Sequence, residues 1–265
     1  VRFQVHPGDT ATQIGRNLKA AGVVASVDAF IDAANANPDS SSIQAGYFSL
    51  KKEMAAEDVV TILVDPSNLV KDTVTIPEGL RVVDTVAILA AKTKYSKADF
   101  EKVLKDPSQL GLPDYAEGNP EGYLFPATYD FGPDATPTSM LTAMVDRWRQ
   151  AADDADLEQA AADLGYTPQE LMTVASLVQA EGRGDDMPKI ARVIYNRLEI
   201  DPNPSAGFLQ VDASVNYALG RSAVAVLTQE EIDSVADSPY NTCTPKGLPP
   251  APIESPGDDA IAAAA

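Results

Sequence analysis

Two stretches of this chain repeat one another, and that repeat restricts the fold more than any other feature of the sequence. VHPGDTATQIGRNLKAAGVVASVDAFIDAA (5–34) and TIPEGLRVVDTVAILAAKTKYSKADFEKVL (75–104) align without a gap, at one constant offset. Pro7 falls on Pro77, Ala20 on Ala90, Ala21 on Ala91, Ser26 on Ser96 and Phe30 on Phe100. Each copy predicts a short strand, a Pro/Gly turn, an amphipathic helix, a loop, and a second helix capped by Ser26 or Ser96. Asp28 falls on Ala98, so the likeness is one of shape and not of charge. Convergent patterning of two helix hairpins is the plain alternative to a true repeat. Between the copies, AGYFSL (45–50) alternates like a strand and EDVVTILV (57–64) reads as a helix.

Beyond the second copy the composition changes. EGNPEGYLFPATYDFG (117–132) is too rich in Gly, Pro and aromatics for a long helix and predicts a strand between structured loops. Helical spacing returns in TPTSMLTAMVDRWRQAADD (136–154), with Met140, Met144, Trp148 and Ala151 on one face. In TPQELMTVASLVQAEG, Thr167 is an N-cap, Pro168 the first helical residue, Glu170 the partner in a capping box and Gly182 the stop. Pro188 opens another helix, with Ile190, Val193, Ile194 and Leu198 expected to point inward. Asp212 reads as the N-cap of a short helix ended by Gly220, and Thr228 with Glu231 as a further capping box. SPYNTCTPKGLPPAPIESPG is a proline-stiffened loop before a last helix near Pro256. The outline is α+β, a mixed first half and a mainly helical second half.

Chemistry is narrowed by scarcity. Cys243 is the one cysteine, so an intrachain disulfide and a cysteine-paired zinc site are both ruled out. His6 is the one histidine, which excludes a histidine-rich metal centre. A formal charge of −19 argues against nucleic acid as a partner. Carboxylates are left as the agents of any reaction.

One carboxylate stands out. In ASLVQAEG (175–182), Val174, Leu177, Val178 and Glu181 fall at i, i+3, i+4 and i+7, so an acid continues an apolar stripe. Burial against those aliphatics and the negative end of the helix would both favour the neutral acid, the form a general acid needs. A swing into water, or pairing with Arg183 or Arg197, is the plain alternative. Gln179, two residues earlier, is expected to point elsewhere.

EGYLFPATY, ASLVQAEG, IARVIYNRLEI, LQVDASVNYALG and SPYNTCTPKGLPPAPIESPG, in this order, resemble the signature blocks of the endolytic murein transglycosylases, the MltG or YceG-like family. The resemblance covers nearly the whole chain. It implies a small LysM-like α/β subdomain over residues 1–70 and a mixed, mainly helical catalytic domain over 71–265, of which 71–115 echoes the first unit. It implies cleavage between N-acetylmuramic acid and N-acetylglucosamine, with 1,6-anhydro ends and no metal or cofactor. The family's catalytic glutamate maps to Glu181; many relatives carry a second glutamate where this chain has Gln179. Gln210, Asp212, Asn216, Tyr240, Asn241 and Thr242 are the expected sugar-binding or orienting groups, with Glu121 the best second carboxylate. The implied partners are glycan strands of peptidoglycan and penicillin-binding proteins or other wall synthases, at the outer face of the cytoplasmic membrane, through an anchor outside this chain. A chain that starts at Val1 and stops at Ala265, where relatives continue into another strand, is expected to be part of a longer protein. Cys243 stands where an aromatic is common.

Two other readings compete. A muramidase would hydrolyse the same bond with Glu121, Asp185 or Asp212 positioning water. A non-catalytic module would bind the wall through the LysM-like unit alone.

Overall fold

In the computed structural model, which describes residues 1–182, 184–200, 202, 204–221 and 226–265, the sequence repeat becomes a repeated order of elements. β1 (Arg2–Val5), α1 (Ala11–Ala20) and α2 (Val27–Ala36) are followed by β2 (Gly46–Ser49) and α3 (Ala56–Val64). The second copy gives β3 (Asp72–Thr75), α4 (Val82–Lys92) and α5 (Lys97–Leu104). The copies then diverge. β2 returns to pair with β1, antiparallel, with Phe3 opposite Phe48, whereas β3 pairs with the later β4 (Thr128–Phe131).

Local chemistry explains the helix starts. The Thr10 hydroxyl accepts from Gln13 N–H, and Ser26 accepts from Ala29 N–H at 3.1 Å. Ser96 donates both its amide and its hydroxyl to the Asp99 carboxylate. Phe30 and Phe100, the matched aromatics, are both fully buried.

The chain forms two compact units. The first is Val1–Thr73 with Asp130–Ala135, the second Val74–Tyr129 with Thr136–Ala265. The division lies three residues beyond the expected 70/71 boundary and brings in a distant segment. Asp130 is responsible for much of that: its carboxylate accepts from Lys71 and, at 2.6 Å, from Thr73, while Tyr47 donates to Asp134. The core of the first unit is Phe3, Val5, Leu18, Phe30, Phe48, Val59 and Leu63.

The second unit adds α6 (Pro137–Asp154), α7 (Leu157–Leu164), α8 (Pro168–Glu181), α9 (Met187–Glu199), α10 (Asp212–Ala218), α11 (Gln229–Ser234) and α12 (Asp258–Ala264). α8 is its axis, with every residue from Leu171 to Gln179 buried. The small residues of α12 permit close approach to α8, burying Ala260, Ile261 and Ala264. The Tyr195 hydroxyl donates to Ala264 O at 2.6 Å. Two expectations are corrected here. The inward face of α9 is Met187, Ala191, Ile194 and Tyr195, and Val193 is 47% exposed, because the small Ala191 and not Val193 occupies the seam. Val211, not Asp212, is the N-cap of α10; Thr242 Oγ1 accepts from Val211 N–H at 2.9 Å and fixes the chain there, leaving Asp212 as the first helical residue. Among the described residues no helix is long and apolar enough to cross a membrane.

Candidate functional site

α8 is fixed at both ends. Thr167 and Glu170 close the capping box foreseen from sequence, with Glu170 N–H on the Thr167 hydroxyl at 3.2 Å and Thr167 N–H on the Glu170 carboxylate at 2.7 Å. At the far end Gly182 has an extended backbone, so it is required for space and not for a left-handed turn. A Cβ there would lie 2.7 Å from Val178 O and 2.8 Å from Met187 Cγ. Glu181 does not continue the buried stripe as the spacing predicts. Burial along α8 ends at Gln179, and Glu181, one turn past Leu177 and Val178, emerges exposed.

It emerges beside a cavity of about 900 Å³, which Ala180 and Gly182 on either side of it both line. Gln179 forms part of the wall, contrary to the expectation that it points elsewhere. Its Oε1 accepts from Gly257 N–H at 2.9 Å, and its Nε2 is 3.5 Å from Glu78 Oε2. The proline-stiffened loop is pinned to the same helix, since Ile253 N–H donates to the buried Ser176 hydroxyl at 3.1 Å. Leu80 and Ser255 form a β-bridge that joins this loop to the segment before α4. Gly122, at φ +89°, lets the EGYLFP segment meet the loop: a Cβ would sit 2.4 Å from Pro252 Cβ. Glu78, Glu254 and Asp259 give this part of the cavity an acidic lining.

The α4 and α10 side is built differently. Arg81 is the N-cap of α4, a cation where the helix dipole favours an anion. The cap hydrogen bond comes from elsewhere in the chain: Glu121 Oε1 accepts from Val82 N–H at 2.9 Å. Glu121 Oε2 accepts from the Tyr217 hydroxyl at 3.3 Å. The Arg81 guanidinium lies 4.9 Å from the centre of the Tyr217 ring, and its Nη1 donates to Arg221 O at 3.0 Å. Burial pushes the Glu121 carboxyl up to about 7; Val82 N–H, Arg81 and Tyr217 oppose this only in part, and Asp84 adds to it. Glu231 is held down to about 2, chiefly by its hydrogen bond from Arg221.

The remaining expected residues are dispersed. Asn216 is buried, donating to Asp212 O and accepting from Arg221 Nε at 3.0 Å, so it orients a cavity arginine from behind. Tyr240 is partly exposed and packs against Tyr217 at a tilt of 50°, with ring centres 4.8 Å apart. Asn241 and Thr242 are sealed from solvent and hold the loop: the Asn241 amide donates to Ile232 O and Val235 O, and Thr242 bonds both backbone groups of Val211. Gln210 lines a separate cavity of about 430 Å³ with Asn196 and Arg197. Asp212 is exposed beside Cys243, whose thiol is pushed up by burial first and by Asp212 second. Arg81, Tyr217, Arg221, Glu78 and Glu254, all lining the large cavity, were not foreseen. A cation at a helix N-cap in so acidic a chain was the available signal for Arg81.

Residues 3–265 match the YceG-like family. The endolytic murein transglycosylase of Streptococcus pneumoniae serotype 2 is 33% identical over an alignment covering 98% of this chain and 51% of the relative. That of Bacillus subtilis is 31% identical, covering 97% of this chain and 73% of the relative. A yceG-like protein of Listeria monocytogenes, solved by crystallography, superposes with a TM-score of 0.62 at 27% identity over 100% of this chain and 89% of that one. The chain thus spans about half the length of the pneumococcal relative it matches.

Proposed function

The chain belongs to the YceG-like family, and from that premise we propose that it is an endolytic lytic transglycosylase of peptidoglycan, with Glu181 as acid and base. The observation that carries this is the position of Glu181: solvent-reachable, on the last turn of the capped and largely buried helix α8, between two residues that line the large cavity. Its chemistry is self-contained. Glu181 gives its proton to the glycosidic oxygen as the bond from muramic acid C1 breaks through an oxocarbenium-like state. The muramic acid's own C6 hydroxyl attacks C1 and returns its proton to the carboxylate, leaving a 1,6-anhydro end. The nucleophile is tethered, so its effective concentration is high and no second carboxylate is needed. Glu181 is exposed, so water expelled when a strand fills the cleft takes the place of the standing burial that the sequence suggested.

Around it Glu121, Tyr240 and Asn216 act through the α10 wall, and Asn241 and Thr242 by holding the loop. Gln210 and Asp212 would meet only a strand long enough to leave the large cavity. The β-α-α-β order of residues 2–49, closed by the antiparallel β1–β2 pair, supports a LysM-like unit that grips N-acetylglucosamine. Action outside the cytoplasmic membrane, beside wall synthases, belongs to the same proposal.

Replacing Glu181 by Gln is expected to lower strand cleavage roughly 100- to 10,000-fold. Mass spectrometry of wild-type digests is expected to find anhydro ends. Reducing ends, one water heavier, would sink the transglycosylase and favour a hydrolase, for which the carboxylates of Glu78 and Glu254 in the same cavity could hold the water.

A further inference from the structure

Arg81 is in an unusual position for a cation. It caps the N-terminus of α4, where positive charge is unfavourable, and among the described residues it forms no ion pair. Of its five N–H groups, one is committed to Arg221 O, and Nε is buried without an acceptor. Its guanidinium lies over the ring of Tyr217, whose hydroxyl is fixed in turn by Glu121. Arg221 stands beside it in the same cavity, anchored by Asn216 and Glu231, with Nη2 buried and unpartnered. An arginine that is oriented, unpaired and lining a cleft is suited to a planar anion.

We propose that Arg81, with Arg221 at its side, forms a carboxylate-binding subsite of this cleft. The inference rests on the proposed action on peptidoglycan, whose sugar hydroxyl and N-acetyl groups are neutral. The carboxylate then comes from the lactyl group of muramic acid, free where the peptide has been removed, or from the peptide stem attached there. Glu121 tunes this subsite. The charged and titratable groups around Glu121 are Arg81 and Asp84 of α4, Tyr217 of α10 and Tyr240 of the following loop. While Glu121 is neutral it offsets none of the charge on Arg81; as Glu121 ionises, the subsite loses attraction for an anion.

The test is equilibrium binding to the full chain carrying Glu181→Gln, so that strands stay intact. Four ligands of equal length are compared: peptide-free strands, peptide-bearing strands, peptide-bearing strands with every carboxylate amidated, and chitin oligosaccharides. Adding Arg81→Gln is expected to weaken binding of the carboxylate-bearing ligands about tenfold. The amidated and chitin ligands are expected to bind as before. Which of the first two ligands responds identifies the lactyl or the peptide group. Equal weakening of all four, or of none, overturns the subsite. Arg81→Lys keeps the charge without the fork and is expected to retain preference for the anionic ligands, which guards against a loss caused by misfolding. The pH profile gives a readout that a purely structural role would not move. Affinity for the anionic ligand falls as pH rises through about 7 and becomes flat in Glu121→Gln; an unchanged slope in that variant overturns the coupling. If wild-type chain binds and cuts muramic acid strands but Arg81→Gln is silent, the subsite fails alone. If no such strand is bound or cut, the functional reading fails with it.

Discussion

At the scale of single residues, Glu121 and Gly182 each lead to a measurement. Glu121 is 8% exposed and its carboxyl is raised from an ordinary 4.5 to about 7. A carboxyl whose folded pKa is raised binds its proton more tightly in the native state than in the unfolded chain. Its contribution is fully present below about 4.5 and is lost as pH climbs through about 7. The loss is on the order of 3 kcal/mol. Urea unfolding is expected to find wild type losing stability across that window while Glu121→Gln stays nearly flat; parallel slopes would remove Glu121 as the cause. Gly182→Ala drives a methyl into Val178 O and Met187 Cγ and is expected to cost about 1–3 kcal/mol and to lower turnover by displacing Glu181. Unaltered stability and turnover would mean that the α8–α9 junction yields freely. Glu181 itself shows what sequence could and could not convey. Its helix and its end were legible from Thr167, Pro168 and Gly182. Its exposure was not, because periodicity tells which residues share a face and not where the covering elements stop. Tyr217 was missed because its partner, Glu121, lies far away in sequence, and Arg81 because the cavity it lines is assembled from distant segments.

At the scale of elements, local signals were reliable where a side chain completes its own helix. The boxes at Thr167–Glu170 and Thr228–Glu231 and the Ser26 cap all formed as their sequences require. Where capping is supplied from a distance the reading failed. α4 takes its cap from Glu121, and α10 starts after Val211 because Thr242 holds that residue. A distinction between the two kinds of cap follows. Thr167→Ala is expected to cost about 1 kcal/mol, with binding of a strand unaffected, since this box lies at the end of α8 remote from Glu181. Thermal unfolding and a titration on the same sample would check both halves; a large loss of affinity would mean that α8 transmits its N-terminal fraying to the site. The loop 238–257 was legible as a stiff surface from its prolines, but the direction of its side chains was not. Asn241 and Thr242 turn inward to satisfy backbone groups, as buried polar side chains must.

At the scale of the whole molecule, the sequence repeat conveyed element order for both copies and missed that only the first closes on itself with β2. The other whole-molecule property is charge. A chain of −19 approaching a polymer that bears peptide carboxylates is repelled at long range, even if Arg81 attracts one carboxylate at contact. The two effects separate by distance. The Debye length is about 30 Å at 0.01 M salt and about 8 Å at 0.15 M, so added salt screens the distant repulsion well before it weakens a partly buried contact. The association rate for peptide-bearing strands is therefore expected to rise with salt over that range, while the dissociation rate, set by the cleft, moves far less. Chitin oligosaccharides, being neutral, should associate at a rate nearly independent of salt. Stopped-flow measurement of both ligands decides the point. An association rate that falls with salt would require a cationic face to meet the strand first, and would locate the first encounter at a surface other than this acidic one.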